Sequence, residues 1–176
     1  MKKKIDFLLV ARLLAMIGCI LMVSVFFIPF SSAISLLTGD NEKIYGNAYS
    51  FFFGGIIETK NISYESMKPS VLGSIGFTFM IIALLLLVFS LLYKKNKSAM
   101  CKWMTFVSAL LAIVYSIIFL CMHQSLATVL ADALVGGHSD AVAKTIFNNS
   151  SVEFGVWGVS IFGFLGSFFV LASLVF

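Results

Sequence analysis

Charge is what this sequence has least of. Only 11% of its 176 residues are Asp, Glu, Lys or Arg, 60% are hydrophobic, and the mean hydropathy is +1.05. A soluble domain carries about 25% charged residues, so this chain cannot cover a water-facing surface with charge. Cysteine is also sparse, with only Cys19, Cys101 and Cys121. None of them falls in residues 31–70 or 124–153, and there is no Cys-x-x-Cys, so neither a structural disulfide nor a thiol-redox centre is supported. Cys101 and Cys121 would lie about 30 Å apart along one helix at about 1.5 Å per residue. HExxH, GxSxG and phosphate-binding glycine loops are missing too.

The apolar runs have no ionisable residue near their middle. Arg12 lies about two turns into the first run, where its stem can reach the membrane surface. Ionisable groups deep in a membrane are costly and usually functional. Their absence argues against proton- or sodium-coupled transport through membrane carboxylates. We expect no enzyme activity and no cofactor.

What the chain does have is four apolar windows, at 7–30, 71–93, 103–123 and 154–176. About 20 such residues make a transmembrane helix. The expected fold is an all-α integral membrane protein, a four-helix transmembrane bundle forming a single domain over 1–176.

Charge orients it. The N-terminal segment holds Lys2, Lys3, Lys4 and Arg12 against Asp6, a net of +3. Loop 94–102 holds Lys94, Lys95, Lys97 and Lys102 with no acid, a net of +4. Loops 31–70 and 124–153 carry −1 and −2, which completes the total of +4. Basic residues beside membrane segments stay cytoplasmic. Both termini are therefore expected inside and both long loops outside, in a multi-pass protein of the plasma membrane. The basic balance follows from this topology and implies no nucleic-acid partner.

The start of the chain imitates a secretory signal, with MKKK and then Ser31-Ser32-Ala33 after the apolar core. Leu13–Phe30 is 18 residues long, against about 7–15 for a signal core. We read it as a retained anchor helix.

Lipid gives helices no hydrophobic drive to associate, so close approach through small residues matters. Ser108, Ala112 and Ser116 recur at intervals of four in the third segment, and the last carries Gly155, Gly158, Gly163 and Gly166. These are expected to pack helices within the bundle.

The outer loops hold the remaining candidates. Leu126, Val129, Leu130, Ala133 and Leu134 form one apolar helical stripe. It is expected to extend the third helix past the membrane and turn back at Gly136-Gly137 into a short helix capped by Ser139, with Val142 and Ile146 inward. In loop 31–70, SFFFGGIIE is too short to span a bilayer and too apolar for an ordinary loop. Aromatics favour strands and interfaces, and Gly54-Gly55 permits a tight turn, so an outer hairpin capping the bundle is expected here. A lid reaching the headgroups and a partner-binding patch are the alternatives. His123 and His138 are weak metal or haem candidates whose spacing fits no metal motif.

Four segments, cytoplasmic termini, a long first outer loop and a smaller second one resemble the layout of claudin-type tetraspan proteins. Loop 31–70 contains neither Trp nor Cys, so no functional residue carries over. The first segment also has no counterpart of the membrane glutamate of small multidrug exporters.

The function expected is that of a non-enzymatic accessory or assembly subunit. It would contact another membrane protein, or a second copy, through Tyr45, Tyr49, Phe51, Phe52, Phe53, Leu126, Val129 and Leu130. The alternatives are a small oligomeric channel or carrier for a neutral or lipid-like solute and, less favoured, a haem or metal redox protein.

Overall fold

The computed structural model describes residues 7–30, 32–37, 43–57, 65–93 and 99–175. Helices dominate, and four are long and apolar enough to cross a membrane. They are α1 (Phe7–Ser24, its span prolonged to Phe30 by a turn and a short 3-10 segment), α3 (Val71–Leu92), α4 (Ala99–Leu120) and α7 (Phe154–Ser173). Within lipid, a helix is the form that satisfies every backbone N–H and C=O locally. Their outward faces carry large apolar side chains such as Leu9, Ile20, Leu85, Ile117, Leu165 and Phe168. A surface of that kind suits hydrocarbon and would be a liability in water.

The third long helix differs from its expected limits of 103–123. It begins at Ala99 and stops at Leu120, and a break at Cys121–Met122 precedes a separate helix, α5 (His123–Val135). The start is earlier because Ala99–Lys102 still form helix at the end of the span, with the lysine side chain exposed.

α7 is the hub of the bundle. It packs along both α1 and α4, α4 packs along α3, and α1 meets α3 more briefly; just beyond the end of α1 the ring of Phe26 lies 5.7 Å from that of Phe77 in α3. Neighbours run antiparallel, since Gly18 faces Val170 while Ile28 faces Gly158. Small residues make these approaches possible. A Cβ on Gly166 would come within 2.8 Å of Met22, and one on Gly163 within 2.6 Å of the Tyr115 ring. Ser108, Ala112 and Ser116 are wholly buried, and Gly155, Gly158, Gly163 and Gly166 are all buried. Hydroxyls fasten α3 to α4: Ser108 donates to the Ala83 carbonyl (2.6 Å), and Ser90 and Thr105 share a bond of 2.7 Å.

The fold is not purely α. Residues that the sequence assigns to two separate loops build one cap at a single end of the bundle. A three-stranded antiparallel sheet runs in the order β2 (Lys43–Asn47), β1 (Ser32–Leu37), β5 (Ser150–Val152). β1 is central, its Ser35 hydroxyl bonding that of Ser151 at 2.8 Å. Between β2 and α3 come α2 (Ala48–Phe53) and a two-stranded ribbon, β3 (Gly55–Ile57) with β4 (Glu65–Met67). α5 folds back onto α6 (Asp140–Asn149) through Gly136, whose φ of 68° is left-handed and suits glycine. Ser139 stands at the start of α6 as expected but makes no side-chain capping bond. Ile146 is buried and Val142 half-buried.

Gly163→Ala is expected to lower the thermal midpoint of the purified protein, with the loss of about 1–3 kcal/mol that overpacking causes. Gly137→Ala is the control, because a Cβ there meets nothing within 4 Å. Its stability should stay within about 0.5 kcal/mol of the parent's.

Candidate functional site

The cap centres on the aromatic run. Asn47 starts α2, its Oδ1 accepting from the Ser50 N–H (2.8 Å) and the Ser50 hydroxyl (3.0 Å). Gly54 ends the helix at φ 78°, where a Cβ would also meet the Met67 carbonyl oxygen at 2.9 Å. The phenylalanines therefore lie on a helix, and only the second half of the stretch, Gly55–Ile57, enters an antiparallel pair, as β3 against β4. The last carbonyls of a helix need outside donors. α3 provides them, as the Ser70 N–H donates to the Phe51 carbonyl (2.8 Å) and the Ser74 hydroxyl to that of Phe52 (2.7 Å).

A helical turn of about 100° per residue sends three consecutive phenylalanines to different places. Phe51 and Phe52 are buried and Phe53 is 53% exposed. Phe52 fits between α3 and α4. Its ring lies 5.1 Å from that of Phe119, and a Cβ on Gly73 would approach it to 2.7 Å. Tyr49 anchors the other side, its hydroxyl donating to the Phe26 carbonyl at 2.5 Å just beyond the end of α1. Burial pushes the Tyr49 phenol above its ordinary pKa. Its ring packs against Phe30 (4.8 Å), Phe77 (5.7 Å) and Phe53 (6.0 Å, stacked). Beside this cluster opens a cleft of 410 Å³, lined by Phe30, Asn47, Tyr49, Ser50, Phe53 and Gly54.

Four of the residues expected to form a contact surface are thus interior. Phe51, Phe52, Leu126 and Leu130 are at most 1% exposed, because the cap needs its own core over the helix ends. Val129 and Tyr49 are half-buried, Phe53 is accessible, and the Tyr45 side chain lies outside the described residues. Phe30 joins the cleft and Phe27 is exposed one turn before it; neither was singled out from sequence. The signal for α2 was there, an N-capping Asn47 and a terminal Gly54 bracketing six residues.

The histidines do not come together in one site. His123 Nε2 lies 3.1 Å from the Ser150 hydroxyl, and its ring is 4.4 Å from that of Phe147. His138 sits between two carboxylates, Nδ1 at 3.2 Å from Asp132 and Nε2 at 3.1 Å from Asp140. These contacts use opposite sides of the imidazole, so the three side chains cannot converge on one ion. Among the described residues no three or more His, Cys, Asp or Glu side chains gather where they could hold a metal ion. In the bundle, the Tyr115 and Ser160 hydroxyls are buried without a hydrogen-bond partner among the described residues.

Compared with protein-family models, with curated proteins and with solved structures, the chain gives no match.

Two outcomes follow from this geometry. Phe52→Ala should cost about 3–5 kcal/mol if the socket fails to collapse, and hydrogen exchange should accelerate in α2 and β3 before it does in α4. The second concerns pH. Burial lowers the His123 pKa from its ordinary 6.5, so the unfolded chain takes up a proton more readily than the folded one. The contribution of this group is constant above about pH 6.5 and declines as pH falls below it. The thermal midpoint should drop between about pH 7.5 and about pH 5.5, and by less in His123→Gln.

Proposed function

We propose that the chain is a non-enzymatic, multi-pass protein of the plasma membrane, with cytoplasmic termini, that serves as an accessory or assembly subunit through its outer cap. The lysine-rich N-terminus and loop 94–102, set against acidic loops 31–70 and 124–153, support that orientation. The observation that carries the reading is the aromatic cleft. A cap with a core of its own holds Phe30, Tyr49 and Phe53 around an open 410 Å³ hollow beside the exposed Phe27. Rigid aromatics at the edge of a pocket are the side chains that dominate protein contacts.

The surface offered is thus narrower than the aromatic run suggests: Phe53, Phe30, Phe27 and the accessible edge of Tyr49, without Phe51 or Phe52. Ser160, Gly163 and Ser167 are buried inside the bundle. A channel or an oligomer built on that stripe would have to open the contacts of α7 first.

A photoreactive amino acid at Phe53 or Phe30, in cells that produce the protein, should capture the same discrete protein from both positions. At Phe52, inside the protein, it should capture none. If Phe53 and Phe30 yield only lipid adducts, the cleft is a membrane anchor and the subunit reading fails.

A further inference from the structure

At the end of the bundle away from the cap, a second hollow lies between the start of α4 and the end of α7. It measures 390 Å³ and is lined by Ala99, Lys102, Trp103, Phe106 and Leu174. We propose that this groove binds an anionic phospholipid, with the headgroup phosphate at Lys102 and an acyl chain along Trp103, Phe106 and Leu174.

Three features support this assignment. The first is amphipathy. Lys102 stands beside Trp103 and Phe106 in the first two turns of α4, so one cation shares the groove with aromatic and aliphatic side chains. Trp103 is 65% exposed, and its ring meets that of Phe106 edge-on at 6.0 Å. An exposed indole at the end of a membrane helix belongs at the headgroup level, which puts the groove at the depth where a lipid has its glycerol and first methylenes.

The second is an uncompensated cation. Lys102 makes no ion pair among the described residues. No Asp or Glu occurs anywhere from Ser66 to Ala131 or from Phe154 to Phe176. Lys94, Lys95 and Lys97 precede Lys102 in sequence. Such clusters next to a membrane helix favour anionic lipid.

The third is shape. The hollow lies between α4 and the end of α7, and its Trp103 and Phe106 side chains are exposed on the outside of the bundle, where an acyl chain could lie against them. A zwitterionic lipid could fill the apolar part, but its own ammonium would gain nothing from Lys102. This inference concerns the opposite end from the aromatic cleft and does not depend on the subunit reading or on which leaflet faces the cytoplasm.

The test uses Trp103 as the probe. The full chain with Trp157→Phe, which leaves one tryptophan, is reconstituted in phosphatidylcholine vesicles. These contain increasing fractions of either acyl-brominated phosphatidylglycerol or acyl-brominated phosphatidylcholine. Bromine quenches an indole only at close range. Half-maximal quenching by the anionic lipid should come at about a fivefold lower mole fraction than by the zwitterionic one, the preference that one basic side chain near an anionic surface confers. Lys102→Gln should remove that difference while both lipids still quench. Ala99→Phe, which fills the groove at an exposed position and keeps the charge, should weaken quenching by both. The proposal is overturned if the two brominated lipids quench alike in the parent. It is overturned equally if the preference survives Lys102→Gln, since the lysine-rich loop would then act as a diffuse field, or if Ala99→Phe changes nothing.

Discussion

The backbone of α7 lies against α1 on one side and α4 on the other, and the missing side chains at Gly163 and Gly166 decide how near it can come. Tyr115 and Ser116 occupy the space that a Cβ on Gly163 would need, and Met22 does the same at Gly166. Because lipid gives helices no solvent-driven reason to associate, this contact has to be close to be worth anything. The rest of the molecule is arranged around it. Within the bundle α3 packs chiefly on α4 and more briefly on α1, and the cap closes over the end where α3 and α4 leave a socket for Phe52.

The bundle was legible because its signal is redundant. Four windows of apolar residues announce the spans, and four helices long and apolar enough to cross a membrane stand at those places. The small residues that let α4 and α7 approach stand at helical spacing, so Ser108, Ala112 and Ser116 could be named as interior from sequence alone. The limits of α4 were less visible, since a helix keeps its hydrogen bonds whether or not its first turn is apolar.

The cap was legible in composition but not in direction. Phe51 and Phe53 are two residues apart, which on a strand would place them on one face; on the helix they actually form, one is buried and the other exposed. The socket for Phe52 depends on Gly73, some twenty residues further on, and nothing local in SFFFGGIIE points to it. The third strand was harder still. Ser150–Val152 pairs with Ile34–Leu36 across more than a hundred residues of chain, and a strand of three residues carries no periodicity to read.

That long-range pairing also sets an order of events during synthesis. β1 follows the first membrane segment directly, and its partner β2 comes soon after, so one edge of the strand is satisfied early. The other edge waits for β5, which emerges only once α3, α4 and the α5–α6 hairpin have been made. Contacts so distant in sequence are the slow ones to form. The edge of β1 that β5 covers, where the Ala33 carbonyl accepts from the Glu153 N–H, therefore stands open for most of the chain's assembly. The same short strand that closes this edge leads directly into α7, so docking the last helix and sealing the sheet are a single act.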